Sequence, residues 1–317
     1  MQADVSQSNR SGNDPVIFVE IPDGYTFRNL IEFLKNTNTS GNFIFTKDRI
    51  TYSRADATNS ILNEILILGC NLTYYIYNSP LPEIVIGVTI SNLRKITKPI
   101  GKKDSVRLYM LPNDPLLYIQ IVSVNTKALS RNNANFVMPQ KIDRLEYDPG
   151  QYLRSEENPN CTIPIMDFCK MCTSMHSISC SYVTIRGLPR GSIFEGMMEG
   201  GITGRIDKFG IVDNQAPTSV TIPDMSAITP LLNDLCLDKI RVPVGKAPKL
   251  VIKSAAEMAE IRTRVRIATI KALSKINNLS PPAGIVKLYI ERGVPLKLIC
   301  NIGTYGKLII YLRDIEN

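Results

Sequence analysis

A single histidine, His176, serves the whole 317-residue chain. A Ser-His-Asp triad or a Cys-His dyad would have to be built on it, and a two-histidine metal site cannot be built at all. It follows an apolar helical pattern, where a polar residue simply closes the helix. Cys169-Lys170-Met171-Cys172 spells C-x-x-C, with Cys161 and Cys180 nearby. Zinc-ribbon pairs of this kind sit on tight turns, whereas apolar spacing puts both thiols on the inner arc of a helix, as core cysteines. The glycines between Gly196 and Gly210 lead into no Gly-Lys-Ser/Thr, so they form no phosphate loop. Glu156 and Glu157 are adjacent acids in a polar stretch, where solvation accounts for them. No catalytic constellation is visible, no cofactor or metal is expected, and a nucleic-acid-modifying enzyme is the most distant reading.

What the chain does offer is cations at helical spacing. In a helix expected over 25–35, Phe27, Leu30, Ile31 and Leu34 share one side, while Arg28 and Lys35 fall together on another. In a second, over 89–98, Ile90, Leu93 and Ile96 lie opposite Arg94, Lys95 and Lys98, and Pro99 and Gly101 stop it. In a third, over 164–175, Lys170 and Ser174 face away from Phe168, Met171, Cys172 and Met175. In a fourth, over 268–276, Lys271 and Lys275 are four apart on one face. One basic helix face is ordinarily a solvated surface. Four of them on one side of a sheet assembly would make a common cationic surface, suited to phosphate contact independent of base sequence.

The elements that must position these cations repeat. The window from Ile90 to Ile119 returns 180 residues later, from Ile270 to Ile299, without a gap. Ten of thirty positions are identical (Ile90/Ile270, Leu93/Leu273, Lys95/Lys275, Ile96/Ile276, Val106/Val286, Leu108/Leu288, Tyr109/Tyr289, Pro115/Pro295, Leu116/Leu296 and Ile119/Ile299), against about two expected by usage. Each half reads helix, strands, helix, strands, an α+β pattern of two similar domains with antiparallel sheets and two helices apiece. In this register Arg94 and Lys98 fall on Ser274 and Asn278, so the first domain is expected to carry more of the phosphate contact. The segment 254–276 could be drawn as one long helix; the duplication favours a strand ending near Ile267, then a helix. The domains are expected at 16–130 and 161–317, joined by a polar connector at 131–160, with an insertion at 215–249 and a disordered tail at 1–15. Leu145, Tyr147, Tyr152 and Leu153 are apolar connector residues with no core to join.

Composition agrees with a soluble protein: 44% apolar, 21% charged, and no run long enough to span a membrane. Seven scattered cysteines fit free buried thiols, and the absence of an export signal implies a reducing compartment. A net charge of +8 admits a nucleic-acid partner without demanding one.

At this point the residues resemble the DNA sliding-clamp family typified by PCNA, over nearly the whole chain from Val16 to Glu316 apart from the insertion. The stretch 24–35 is similar to the first pore helix, with Ile31-Glu32 and Leu34-Lys35. The stretch 87–104 is similar to the second, with Lys95, Ile96, Lys98, Gly101 and Asp104 in register. The stretch 168–178 is similar to the third, with Cys172 and Ile178 matching. Val294-Pro295-Leu296 and Tyr311-Leu312 are similar to the C-terminal strands that border the partner pocket. The resemblance implies a DNA-clamp fold in which three subunits close a ring, sheets outside and helices lining the hole. Double-stranded DNA passes through, and DNA polymerase and other proteins bind by short peptides. A clamp loader is a further implied partner, no membrane is involved, and the site of action is the nucleus or a viral replication site in the cytoplasm. Carried over, the pore cations are Arg28, Lys35, Lys95, Lys98, Lys127, Lys170 and Lys271, with Arg94 and Lys275 on the same faces. The partner groove takes Pro295, Tyr311 and either Leu145 and Tyr147 or Tyr152 and Leu153. Familiar clamps are acidic overall, lack the insertion and end in a longer acidic tail. Those departures suggest a divergent member, such as one from a large DNA virus. They also keep open a monomeric or dimeric DNA-binding processivity or late-transcription accessory factor.

Overall fold

The computed structural model describes residues 14–123, 134–144, 159–198, 204–210 and 261–315. The tail at 1–15 save its last two residues, Lys127, the connector residues Leu145, Tyr147, Tyr152 and Leu153, and the insertion at 215–249 lie outside the described residues. The first half runs β1 (Ile17–Ile21), α1 (Gly24–Thr37), β2 (Ser40–Thr46), β3 (Arg49–Ala55), β4 (Ile61–Leu68), β5 (Tyr74–Tyr77), β6 (Glu83–Thr89), α2 (Ile90–Thr97), β7 (Ser105–Met110), β8 (Leu117–Val122) and β9 (Ala134–Val137). The second runs β10 (Cys161–Pro164), α3 (Ile165–Ser177), β11 (Tyr182–Leu188), β12 (Gly191–Met197), β13 (Gly204–Gly210), β14 (Ile261–Arg266), α4 (Ile267–Leu273), β15 (Ile285–Tyr289), β16 (Leu296–Ile302) and β17 (Gly306–Leu312).

Alternation builds the sheets. In β1, Ile17, Val19 and Ile21 are fully buried, while Phe18 and Glu20 point to the other face. All strand pairs among the described residues are antiparallel. They form a five-stranded sheet (β5-β1-β7-β8-β9), a four-stranded sheet (β13-β12-β11-β14) and an eight-stranded sheet (β10-β15-β16-β17-β4-β3-β2-β6) that crosses from one half to the other. Its crossing point is β17 against β4, with Leu308 opposite Ile65 and Ile310 opposite Asn63. Asn63 is wholly buried there, and its amide donates to Thr37 Oγ1 (2.8 Å) and Asn38 Oδ1 (2.9 Å) at the end of α1. β9 falls within the stretch read as connector, yet it pairs with β8 and closes the five-stranded sheet.

The helices start where capping chemistry allows. Asp23 accepts from Thr26 N (2.9 Å) and Thr26 Oγ1 (2.6 Å), opening α1. Gly24 N–H donates to Asp104 O (2.9 Å), and a Cβ on Gly24 would sit 2.6 Å from that oxygen, so only glycine fits the approach. At 261–276 the structure has β14 and then α4, the strand-then-helix order that the duplication favours.

The duplication itself has a different register from the one the sequence suggests. Ile21 and Ile163 hold the same place, opposite Val106 and Val286 respectively, an offset of 142. Arg49 opposite Leu68 and Gly191 opposite Gly210 keep that offset through β3 and β4. The strand-to-helix junctions Thr89/Ile90 and Arg266/Ile267 are offset by 177. Offset 180 holds for Val106/Val286, Leu108/Leu288 and Tyr109/Tyr289. In the next strand Val106 faces Ile121 while Val286 faces Cys300, so the offset there is 179. The apparent matches Pro115/Pro295, Leu116/Leu296 and Ile119/Ile299 are therefore one residue out, and a one-residue slip in a strand puts a side chain on the wrong face. The helix matches are three residues out. Ile267, Ile270, Leu273 and Ile276 recur every third residue, so a shift by three leaves the apolar pattern unchanged. In the structural register Arg94 corresponds to Lys271 and Lys98 to Lys275, which removes the basis for a dominant first domain.

Candidate nucleic-acid interface

The four helices form one layer. α1 packs against α2, α3 against α4, and α1 also meets α4 and the 3-10 turn Ile276–Asn278 that follows it. At that seam Asn29 Nδ2 donates to Asn278 O (3.0 Å), tying the halves together. Phe27, Leu30, Ile31 and Leu34 of α1, Ile90 and Leu93 of α2, Phe168, Met171, Cys172 and Met175 of α3, and Ile270 and Leu273 of α4 are buried. Lys35, Lys95, Lys98, Lys170, Lys271 and Lys275 are exposed. The layer and its helix ends thus carry six of the nine cations singled out from sequence as exposed ammonium groups.

Arg28 and Arg94 are half-buried and occupied. The Arg28 guanidinium donates to Ile100 O (3.0 Å) and lies 5.4 Å from the Tyr25 ring centre. Arg94 forms an ion pair with Glu32, carried on α1. Lys170 lies 3.9 Å from Asp167 one turn earlier, an exposed pair that contributes little. α2 and α4 contain no carboxylate at all. Two further cations, Lys102 and Lys103, stand exposed in the loop after α2. They have no helical periodicity, so only the fold connects them with the others.

Cys161, Cys169, Cys172, Cys180 and Cys300 are buried core thiols, while Cys70 is exposed. Burial pushes Cys169 up to about 11 and Cys300 up to about 12, and raises Cys172 well above the ordinary thiol range. No cluster able to hold a metal occurs among the described residues. None of the described helices is long and apolar enough to cross a membrane.

On the eight-stranded sheet Tyr311 is 5% exposed and its hydroxyl serves Glu64. Burial raises the Glu64 carboxyl above its usual range, against the opposing pull of that hydrogen bond and of Lys297. Lys297, equally buried, lies between the rings of Tyr289 (5.5 Å) and Tyr311 (6.0 Å). Tyr311 is therefore part of a packed floor, and Pro295 beside it is half-buried. The start of the connector is docked on β6, β2 and β3. Gln140 N donates to Gly87 O (2.8 Å), Asn42 Nδ2 to Ile142 O (3.0 Å) and an Arg54 guanidinium N–H to Asp143 O (3.1 Å), and Arg144 pairs with Glu83. A Cβ on Gly87 would lie 2.2 Å from Gln140 O. Gly87→Val is accordingly expected to lift residues 138–144 off the sheet. Hydrogen exchange should show lost protection at Gln140 with α1 unchanged; retained protection would mean the backbone can shift to accept the side chain.

Among curated proteins, the chain is 21% identical over 270 residues to one from Acanthamoeba polyphaga mimivirus described as "Probable DNA polymerase sliding clamp". The match covers 83% of this chain and 47% of that protein, so the chain spans about half the length of the curated relative it matches. Among solved structures, proliferating cellular nuclear antigen from Entamoeba histolytica superposes with a TM-score of 0.65 over 95% of this chain and 99% of that one, at 14% identity. No protein-family model matches the chain. The fold is that of the PCNA-type DNA clamp, α+β with antiparallel sheets and a helix layer.

Proposed function

We propose that this clamp-fold chain is a DNA sliding clamp. Three copies join head to tail in a closed ring, duplex DNA runs along the helix layer, and DNA polymerase is tethered by a short peptide at the connector. The observation that carries the reading is the helix layer: four helices from two similar halves pack side by side, and each exposes at least one lysine in it or at its end. Lys contacts to phosphate are weak singly and indifferent to base, so they exchange along the backbone while closure of the ring supplies residence time. The chain does no chemistry of its own in this role, and it works where DNA is being replicated. A clamp loader and further peptide-bearing partners fit the same surface.

The duplication supports the ring. Within one chain the last strand of the second half, β17, pairs with β4 of the first. The corresponding strands in the opposite sense are β9 and β13, and each ends its own sheet. Both edges carry exposed apolar side chains: Phe136 (58%) and Met138 (61%) at one, Met197 (62%) and Ile206 (59%) at the other. Such edges call for a partner. If β9 of one copy repeats toward β13 of the next what β17 does toward β4, every half-subunit step is alike and the head-to-tail chain can close.

Retention on DNA tests this. On linear duplex that receives a bulky block at both ends after binding, the protein should survive a high-salt wash; with free ends it should slide off. Equal loss from both substrates would reject encirclement and favour the open, monomeric or dimeric DNA-binding factor that the +8 charge also accommodates.

A further inference from the structure

We propose that the loop joining α2 to β7, residues 98–104, is an additional phosphate-contact site at the rim of the helix layer, which holds the DNA backbone beyond the channel through Lys102 and Lys103. This rests on the sliding-clamp reading and extends it to a segment outside the helices.

The loop is rigidly built. Ile100 is fully buried, its N–H donates to Thr97 O (3.1 Å), and its carbonyl accepts from Arg28 (3.0 Å). Asp104, the loop's one carboxylate, is consumed in holding it: Oδ2 accepts from Gly101 N (2.7 Å) and its backbone oxygen from Gly24 N (2.9 Å). Lys98, Lys102 and Lys103 are exposed, and among the described residues none of them forms an ion pair. A pre-ordered loop presents its ammonium groups at little entropic cost.

The second half supplies an internal control. There Gly284 N donates to Pro281 O (2.7 Å) as Asp104 N does to Gly101 O (3.3 Å), and Gly284 O accepts from Ile165 N (2.9 Å) as Asp104 O does from Gly24 N. The second half reaches its turn through three extra residues and the 3-10 turn Ile276–Asn278, but the two turns share these hydrogen bonds, and Pro282 and Ala283 stand where the first half has Lys102 and Lys103. The turn needs no lysine, so the pair answers to something outside the fold. Its continuity with Lys95 on α2 and Lys98 at the end of that helix favours duplex phosphates over an acidic polypeptide.

The test compares the full-length wild type with Lys102→Ala/Lys103→Ala by fluorescence anisotropy across a salt series. Two duplexes are used, one short enough to lie within the channel and one extending well past it. The long duplex should bind the variant about tenfold more weakly at 0.1 M salt, with the salt slope reduced by about 1 to 2 for two lost contacts; the short duplex should be unaffected. Unchanged binding of the long duplex overturns the proposal, and equal loss on both duplexes overturns its placement outside the channel. Loss of binding to polyglutamate alone, with DNA unchanged, would reassign the loop to a protein partner. Lys95→Ala/Lys98→Ala is run in parallel. If it too is silent, the helix-layer reading fails; if it alone weakens binding, only the loop proposal does.

Discussion

Asn135→Cys combined with Arg205→Cys, in a Cys70→Ser background, is expected to oxidise into a covalent species of three copies, about 106 kDa against 35.3 kDa for one chain. The structural register dictates the pair. Leu117 faces Val137 as Leu296 faces Leu312, so Asn135 corresponds to Ile310; Ile310 faces Asn63, and Asn63 corresponds to Arg205 at offset 142. Facing residues of an antiparallel pair have Cα atoms about 4.5–5.5 Å apart, within disulfide range. Cys70 is removed because it is the exposed thiol among the described cysteines. Either single variant should stay un-crosslinked. A trimer on non-reducing gels that persists through dilution would establish the head-to-tail seam; cross-linking only when Ile206→Cys replaces Arg205→Cys would mean that the pairing is slipped by one residue. No cross-linked product with either pair would reject the seam. The covalent ring should remain on circular DNA under salt that strips the reduced protein.

The second large effect concerns the unequal worth of two corresponding cations. Lys271→Ala should weaken duplex binding more than Arg94→Ala, the reverse of what the ungapped sequence repeat suggests. Arg94 is held by Glu32, so part of its charge is already neutralised. α1 and α3 start at corresponding points, Gly24 and Ile165, which places Thr173 where Glu32 stands. Thr173 is uncharged, and its hydroxyl donates to Cys169 O (2.9 Å), so Lys271 faces no such carboxylate. Loss of one full phosphate contact lowers the salt slope by about 0.9. A slope change of that order is expected for Lys271→Ala and a smaller one for Arg94→Ala, read from binding isotherms between 50 and 200 mM salt. Equal changes would show that Glu32 releases Arg94 when DNA arrives.

How much of this was legible beforehand depended on period. α1 and α3 were readable because Phe27, Leu30, Ile31 and Leu34, and Phe168, Met171, Cys172 and Met175, mark one face at helical spacing. The lysines opposite them followed at once. The fold class also came through, since the strands alternate cleanly and the halves resemble each other. What stayed hidden was register. A helix whose apolar residues recur every third position cannot report a slip of three, and Pro115/Pro295 offered identities that the ladder does not honour. Ion pairs across helices, such as Arg94 with Glu32, require knowing which helices are neighbours. Lys102 and Lys103 lie in a turn with no periodicity, so nothing in sequence joins them to the basic surface. Tyr311 is expected at the partner groove by resemblance alone; the rings, Lys297 and Glu64 packed round it exist only once β4, β16 and β17 are adjacent.

The sheet that crosses between the halves has a consequence for how the protein is made. Asn63 waits for Ile310, which is translated 247 residues later. At about 5–20 residues per second the ribosome takes roughly 12 to 50 s to supply it. For that time the edge of β4 is bare, and it reads Ile-Leu-Asn-Glu-Ile-Leu-Ile-Leu. An apolar strand of that kind invites pairing with the nascent chain of a neighbour. Asn63 and Glu64 interrupt it at its middle, one polar group on each face. They are the gatekeepers of the unfinished protein before they become hydrogen-bonding residues of the finished sheet, and replacing both with apolar residues should cost soluble yield.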